Sequence, residues 1–184
     1  MAASVKIILE TERLILREWL PEDATPFAKM NSDPAVMEYF PKKLSMSETE
    51  AMILKLQDEQ SRNGMTFWAT ELKSTGEFIG FVGIRRFDDS LPFGPGTEIG
   101  WRLKKSVWGI GLATEGALAC LNYGFTRFRI DEIVAFTAIQ NTRSMRVMEK
   151  IGMKRDPHGD FDHPRVPDGH PVKRHVLYRV RGNS

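Results

Sequence analysis

Residues 98–115 read EIGWRLKKSVWGIGLATE, and this stretch decides how the rest of the chain is interpreted. A predicted strand, Thr97 to Leu103, runs through a glycine-bearing turn into a predicted helix that starts near Leu112. Amides at a helix start have no partner within the helix and point at an anion, and Gly109 and Gly111 let the backbone approach it closely. The stretch therefore predicts a ligand that carries phosphate, although an isolated Gly-x-Gly is equally typical of an ordinary packed helix start.

Two familiar phosphate-binding loops fit this stretch poorly. A nucleotide P-loop ends in Gly-Lys-Ser/Thr, whereas Gly111 is followed by Leu112, so a P-loop is excluded. A dinucleotide-binding turn requires glycine or alanine where Thr114 stands, and an acidic residue at the end of the next strand. Asp131 and Glu132 precede their predicted strand instead, which leaves an NAD-linked oxidoreductase as a weak alternative.

The first half of the chain is predicted to contribute three strands and two helices. Ser47 is followed three residues later by Glu50, the pattern of a capping box, and the helix that it begins should end near Gly64. A turn at Ser74 to Glu77 joins two β-rich runs, which predicts an antiparallel hairpin. The predicted elements are a strand at 13–17, helices from Pro21 to about Asn31 and from Ser47 to Arg62, and strands at 66–70 and 78–84.

The second half alternates strands and helices around the glycine turn. Thr114, Leu118, Leu121 and Phe125 recur at helical spacing and predict one face of a helix over 112–125. With the strands before and after it, this helix forms a βαβ unit, which implies a parallel strand pair. The other predicted elements are a strand at 133–137, a helix from Asn141 to about Lys150 stopped by Gly152, and a last strand around 174–180.

Composition limits the classes of function. The 184 residues suit one domain, 1–184, and 26 basic against 24 acidic residues predict no nucleic-acid partner and no anionic membrane partner. No run approaches the ~20 apolar residues that span a bilayer, and the segment 5–9 is too short for a secretory signal. Cys120 is the only cysteine, so it can form no intrachain disulfide, which fits the reducing cytoplasm. We therefore expect a cytoplasmic protein with a small-molecule site.

Two ordered motifs resemble the GNAT superfamily of N-acetyltransferases, in particular its Rim-type branch. The first is Ser106 to Gly111, which matches the loop Gln/Arg-x-x-Gly-x-Gly/Ala except that Ser106 departs from the usual first residue. The second is Asn141 to Met153, which is similar to the asparagine-led helix of the family that closes in Lys-x-Gly-Met. The resemblance spans most of the chain.

The resemblance implies an α/β fold with a mixed, centrally splayed sheet flanked by helices, and acetyl-CoA as the co-substrate. The pantetheine arm would bind along the end of the splayed strand, and the pyrophosphate would bind at the glycine loop. Asn141 would hold the thiol end of the cofactor, or would serve only as a helix N-cap. The residues expected to bind the cofactor are Trp101, Arg102, Leu103, Trp108, Gly109, Ile110, Gly111, Leu112, Ala113, Thr114, Asn141 and Arg146.

Two residues are candidates for catalysis. A free alkylamine is mostly protonated near neutrality, so a base is expected, and similar enzymes use a glutamate near the position of Glu98. Strand alternation places Glu98, Gly100 and Arg102 on one face, where Glu98 need not be buried. Many relatives place a tyrosine acid where Met148 stands, and Rim-type relatives are similar in using a serine at the position of Ser144. Both candidates would otherwise be ordinary surface residues of a strand and a helix.

The acceptor is the least constrained part of the prediction. The resemblance implies a primary amine, either a protein N-terminal α-amine or a small amine metabolite, and a homodimer is possible. The cluster Asp156, Asp160 and Asp162 would favour a cationic acceptor. A non-catalytic acyl-CoA-binding regulatory module remains the alternative function. The histidine-rich tail, residues 156–175, is expected to border the acceptor site without binding a metal. Four residues near the first helices form either the wall of the acceptor site or part of the core, namely Trp19, Met37, Tyr39 and Phe40.

Overall fold

A nine-stranded mixed sheet organises the protein in a computed structural model that describes residues 5–182; the ends of the predicted domain, 1–4 and 183–184, lie outside these residues. The strand order is β1-β2-β3-β4-β5-β6-β9-β7, and β8 pairs with β9. The strands are β1 (Ile7–Glu10), β2 (Leu14–Arg17), β3 (Phe67–Leu72), β4 (Phe78–Phe87), β5 (Gly96–Leu103), β6 (Glu132–Ala138), β7 (Lys154–Arg155), β8 (Phe161–Asp162) and β9 (Arg174–Arg181). The helices are α1 (Ala24–Ser32), α2 (Met46–Asn63), α3 (Leu112–Arg127) and α4 (Thr142–Lys150).

The splay in the middle of the sheet is the feature that creates the site. β5 pairs with β4 antiparallel from Gly96 to Leu103, but it pairs with β6 in parallel only at Glu98 and Val134. Beyond Glu98 the two strands diverge, and no strand among residues 5–182 pairs with that edge of β5. The predicted parallel pair, hairpin and splayed α/β sheet are therefore confirmed, whereas β1, β7 and β8 were not predicted.

The face that α3 buries differs from the predicted one. Leu118 is 47% exposed, although the spacing of large apolar residues placed it toward the core. The helix lies so close to the sheet that a Cβ on Gly124 would come within 2.8 Å of Ile133. Small residues therefore face the sheet, and a pattern of large apolar residues cannot reveal them. The buried positions are Leu112, Gly116, Ala117, Cys120, Leu121 and Gly124.

The start of α2 also differs from the prediction. Ser45, not Ser47, caps the helix, because its hydroxyl accepts a hydrogen bond from the Glu48 amide at 3.2 Å. The Glu48 carboxylate accepts in return from the Ser45 amide at 2.8 Å, which completes the capping box two residues earlier than expected. The end of the helix agrees with the prediction, since Gly64 adopts a left-handed conformation with φ of 70°.

Two apolar cores lie on the two faces of the sheet. One packs α3 and α4 against the sheet, and the other packs α1 and α2 against the opposite face. Trp19 and Met37 belong to the second core and are buried, so they do not line the acceptor site. Tyr39 and Phe40, in the loop between α1 and α2, do line the cleft that opens at the splay. Within residues 5–182, no helix combines the length and apolar character needed to cross a membrane.

Candidate active site

A cleft of about 640 Å³ opens where β5 and β6 diverge, a size typical of small-molecule sites. Of the residues predicted for the site, only Ile110, a residue 58% exposed to solvent, does not line this cleft. The predicted residues that line it are Glu98, Trp101, Arg102, Leu103, Trp108, Gly109, Gly111, Leu112, Ala113, Thr114, Asn141, Ser144 and Arg146.

The glycine loop has a geometry that suits a diphosphate. Gly109 and Gly111 have φ of 79° and 86°, a left-handed region that side chains disfavour. A Cβ on Gly109 would have no heavy atom within 4 Å, so the space beside it is open. Gly111 is the N-cap of α3 and provides no side-chain cap, which leaves the amides of the first turn available to an anion. The residues present therefore fit the pyrophosphate of acetyl-CoA.

Hydrogen bonds from Thr11 and Arg13, here called the polar clamp, hold the glycine loop and the start of α3, and the sequence did not reveal them. Arg13 donates from Nε to Glu115 Oε2 at 2.6 Å and from Nη1 to the Ile110 carbonyl at 2.9 Å. Thr11 donates its hydroxyl to the same carboxylate. Burial acts to raise the pKa of Glu115, but the hydrogen bonds from Thr11 and Arg13 outweigh it and lower that pKa. No local sequence pattern indicates this clamp, because its members lie far apart in the chain.

Trp108 connects the loop with the end of β5 and with α4. Its indole Nε1 donates to the Leu103 carbonyl at 2.8 Å, and the Arg143 guanidinium lies 4.6 Å from its ring centroid. Arg143 also forms a salt bridge with Glu38 at 2.7 Å, so its charge is paired. Arg146 and Lys150 have no carboxylate partner within residues 5–182 and line the cleft, where they can meet phosphate.

Asn141 fixes Ser144 at the start of α4. The Asn141 Oδ1 accepts from the Ser144 amide at 3.2 Å, so Asn141 is the helix N-cap. Its Nδ2 donates to Thr137 Oγ1 at 2.8 Å and to Ser144 Oγ at 3.0 Å. Because Ser144 Oγ accepts that hydrogen bond, its own proton is left to donate into the cleft. Met148 is buried in the core and has no proton to give.

Glu98 is buried, contrary to the expectation that it need not be. Only 7% of the residue is exposed, and the Arg85 Nε donates to its Oε1 at 2.7 Å. Burial raises the pKa of the Glu98 carboxyl above its usual range, and the charge and hydrogen bond of Arg85 oppose this rise without cancelling it. Strand alternation placed Glu98 on the correct face of β5. Helix α2 covers that face, and its Glu59 lies 3.6 Å from Arg85. A single sequence does not show which face of a strand a helix covers.

The histidine-rich tail contributes two residues to the cleft. His163 and His175 line it, and their ring centroids lie 4.9 Å apart. Within residues 5–182 no group of three or more histidine, cysteine, aspartate or glutamate side chains has the arrangement of a metal site.

The acidic cluster of this tail does not face the cleft. Asp156, Asp160 and Asp162 each pair with an arginine and do not line the cleft, so they provide no basis for a cationic acceptor. Their partners are Arg179, Arg155 and Arg174.

Comparison with known proteins agrees with this geometry. A family model described as an acetyltransferase (GNAT) domain matches residues 13–154. YkkB, an uncharacterized protein of Bacillus subtilis strain 168, is 35% identical over 83% of this chain and 87% of its own length. YnaD, an uncharacterized N-acetyltransferase of the same strain, is 31% identical over 80% of this chain and 83% of its own.

Solved structures show the same fold. An acetyltransferase of the GNAT family from Bacillus anthracis has a TM-score of 0.78 at 27% identity, covering 94% of this chain and 97% of that one. The ribosomal alpha-N-protein acetyltransferase RimL has a TM-score of 0.79 at 15% identity, covering 99% and 97%, and this likeness concerns the fold alone. The matches support neither a dinucleotide oxidoreductase nor a non-enzymatic module. The chain therefore belongs to the GNAT acetyltransferase family and is an acetyl-CoA-dependent N-acetyltransferase.

Proposed function

We propose that the enzyme transfers an acetyl group directly to a primary amine held between Glu98 and Ser144. The observation that carries the proposal is that one cleft brings together the glycine loop, a buried carboxylate and a hydroxyl held by Asn141. Each would serve one requirement of the reaction, namely holding the cofactor, removing a proton from the amine and supplying one to the departing thiolate.

The cofactor half of the cleft is assigned to Trp101, to the backbone of Arg102 and to the residues from Leu103 to Thr114, and the acceptor half to the part of the cleft around Glu98 and the Arg102 side chain. The amides of the first turn of α3 would hold the pyrophosphate, with Arg146 and Lys150 beside the remaining phosphate of the cofactor. The edge of β5 beyond Glu98, which lacks a strand partner, would offer backbone groups to the amides of the pantetheine arm. When bound, acetyl-CoA supplies an acetyl group activated as a thioester.

Glu98 would act as the base, either directly or through a water molecule. A primary amine has a pKa near 10, so a proton must leave it before it can attack a carbonyl carbon. Burial raises the pKa of Glu98, which brings its proton affinity closer to that of the amine. The hydrogen bond from Arg85 keeps the carboxylate in place at the floor of the cleft.

Ser144 would serve the departing thiolate. Its hydroxyl accepts from Asn141, which orients the hydroxyl proton into the cleft, where it can donate to sulfur. A serine has a high pKa, so its role is to orient and stabilise the thiolate, and a water molecule can complete the proton transfer. A protein N-terminal α-amine and a small amine metabolite are both compatible with this arrangement.

Calorimetric titration with acetyl-CoA, CoA and NADH tests the cofactor half of the proposal. We expect micromolar binding of acetyl-CoA and CoA by the wild type, no binding of NADH, and loss of binding in Gly109→Glu, which places bulk and negative charge in the loop. Gly76→Glu is a matched control, because Gly76 is also left-handed, with φ of 68°, and has no heavy atom within 4 Å of a built Cβ. Failure of the wild type to bind acetyl-CoA would refute the proposal.

A further inference from the structure

Arg102 is a cation in the acceptor half of the cleft, and no carboxylate of residues 5–182 pairs with it. Its Nη1 donates to Asn31 Oδ1 at 2.7 Å, and its guanidinium carbon lies 4.1 Å from the Phe40 ring centroid and 5.4 Å from that of Phe81. Its Nε is buried and has no hydrogen-bond partner among the residues that the structure describes. The sequence associated Arg102 with the cofactor, but this side chain lies among residues of α1 and of the loop that follows it.

Three other arginines around the site are paired with carboxylates. Arg85 bonds Glu98 and lies near Glu59, Arg143 bonds Glu38, and Arg13 bonds Glu115. The partner of Arg102 is instead a neutral amide, which the fold holds in place because Asn31 is fully buried and its Nδ2 donates to Thr49. A half-buried guanidinium that lacks an anion is unfavourable, so its position beside a cleft suits an anion that arrives with a ligand.

The charges that line the cleft favour an anionic ligand as well. Glu98 is the only carboxylate among the lining residues that the structure describes, and it already pairs with Arg85. Arg165 also lines the cleft. Burial, with repulsion from Arg85, lowers the pKa of Arg102 to about 10, so its guanidinium remains charged at neutral pH.

The position of Arg102 relative to Glu98 indicates where the acceptor carries its anionic group relative to its amine. The two residues lie on the same face of β5, on either side of Gly100, each about 7 Å from it along the strand. Gly100 has no side chain, and a Cβ there would come within 2.7 Å of the Phe67 ring. The Phe67 ring therefore fills the space over Gly100, and an acceptor in the cleft beside that ring would direct its amine toward Glu98 and a nearby anionic group toward Arg102.

We propose that the acceptor is a free amino acid whose carboxylate binds the Arg102 guanidinium. This inference rests on the proposed function and names the class of its acceptor. A guanidinium presents a planar fork of donors that matches a carboxylate, and the one hydrogen bond that Arg102 makes among the described residues uses only Nη1. A protein N-terminus has an amide where a free amino acid has this carboxylate.

Matched acceptors test the assignment. The twenty L-amino acids and their carboxamides are assayed for acetylation, with O-phosphoethanolamine and peptides that begin with aspartate or glutamate as the other sources of an anion. We expect at least one amino acid to have a kcat/KM tenfold or more above that of its amide, with the difference mainly in KM. A preference for phosphoethanolamine or for the acidic peptides over every free amino acid would overturn the assignment.

Variants then locate the source of the preference. Arg102→Gln and Asn31→Asp, which supplies a competing internal carboxylate, should bring the ratio of acid to amide close to one, whereas Arg102→Lys should retain part of it. This ratio is independent of the fraction of folded enzyme. Arg143→Gln removes a cation from another part of the cleft and is the matched control. An equal loss of the ratio in Arg143→Gln, or an unchanged ratio in Arg102→Gln, would refute the role of Arg102.

The two proposals can fail separately. If the wild type acetylates amides and amino acids equally, the N-acetyltransferase proposal stands and the assignment of Arg102 falls. If the wild type acetylates no amine, titration of the amino acids and of their amides into the CoA-loaded enzyme decides whether Arg102 binds a carboxylate. Binding of an acid at least tenfold tighter than its amide, lost in Arg102→Gln, would support the carboxylate site, and equal binding or no binding of the two would refute it.

Discussion

Arg13 and Glu115 are joined by two hydrogen bonds across 102 residues of chain, one from the Arg13 amide at 2.8 Å and one from its Nε at 2.6 Å. Glu115 is in the first turn of α3, and Arg13 also donates to the carbonyl of Ile110 in the glycine loop. The residues just before β2 thus fix both the loop and the helix start that would receive a diphosphate.

Removing this clamp should weaken cofactor binding. We expect Arg13→Gln to raise the Kd for CoA about five- to tenfold, because hydrogen bonds that involve charged groups contribute about 1.5 to 3 kcal/mol and this arginine is partly exposed. Calorimetry measures the change. Arg62→Gln, which removes an exposed ion pair with Asp58, is the control, and equal Kd values for both variants would contradict a role of the clamp in the loop.

Replacing Glu98 should slow the chemical step and remove its pH dependence. Ionised Glu98 is the active form, so kcat/KM should rise with pH through the pKa of Glu98, which burial raises above its usual range. We expect Glu98→Gln to lower kcat about 100-fold or more and to abolish this rise. Binding of CoA, measured by calorimetry, should remain within about twofold, because loss of the base is an effect on kcat.

The variant Glu59→Gln tests whether activity depends on Glu98 itself or on the carboxylates that surround Arg85. Glu59 approaches Arg85 at 3.6 Å but does not line the cleft, and its charge acts to raise the pKa of Glu98. This variant should retain most of the activity, and the rise of kcat/KM should move to lower pH. A loss of kcat as large as that of Glu98→Gln would argue against Glu98 as the base.

Ser144 and Asn141 should differ in their effects on stability and activity. Ser144→Ala keeps the helix cap, because the cap uses the backbone amide of this residue, so kcat should fall about 10- to 100-fold without loss of stability. Asn141→Ala should lower the free energy of unfolding by about 1 kcal/mol as well as the activity. Urea denaturation and steady-state kinetics measure the two effects.

Asn141→Asp is the variant that distinguishes the two roles of this residue. An aspartate keeps an oxygen for the Ser144 amide but cannot donate to Ser144 Oγ or to Thr137. Stability should be retained while kcat falls to the level of Ser144→Ala. Wild-type kcat in Asn141→Asp would show that the orientation of the Ser144 hydroxyl is not needed.

The order of elements could be predicted because each leaves a local signature. The glycine turn, the hairpin and the asparagine-led helix were all found at the expected residues. The clamp of Arg13 on Glu115 and the pairing of Glu98 with Arg85 depend on which elements meet in space, and local spacing does not contain that information. The predicted buried face of α3 was wrong for a related reason. Gly116 and Gly124 are buried there, and glycine has no apolar side chain that would indicate its burial.

His163 should make stability depend on pH. Burial, together with the charges of His175, Arg165 and Lys173, lowers the pKa of His163 from 6.5 to about 4. Between these values the unfolded chain binds a proton that the folded protein does not, so this contribution to stability is complete above pH 6.5 and is lost as pH falls through 4. The free energy of unfolding should therefore decrease on acidification across this window.

His163→Phe should reduce that decrease, since phenylalanine does not titrate and can pack against the rings of Phe136 and Phe161. Urea denaturation at several pH values between 4 and 7 measures the slope. His158→Phe, at an exposed position outside the cleft, is the control. A slope in His163→Phe equal to that of the wild type would exclude His163 as its source.

The divergence of β5 and β6 leaves a strand edge of the kind that causes proteins to aggregate when it faces solvent. Here that edge lies inside the molecule, between the first residues of α3 and the inner side of α4. A polypeptide strand carries side chains above and below its plane and needs room on both faces of the sheet, whereas a slender molecule with amide groups can lie along the edge. The gap between the strands thus admits a narrow ligand and excludes a polypeptide strand. The fold can therefore keep unpaired backbone amides and carbonyls without exposing them to other chains.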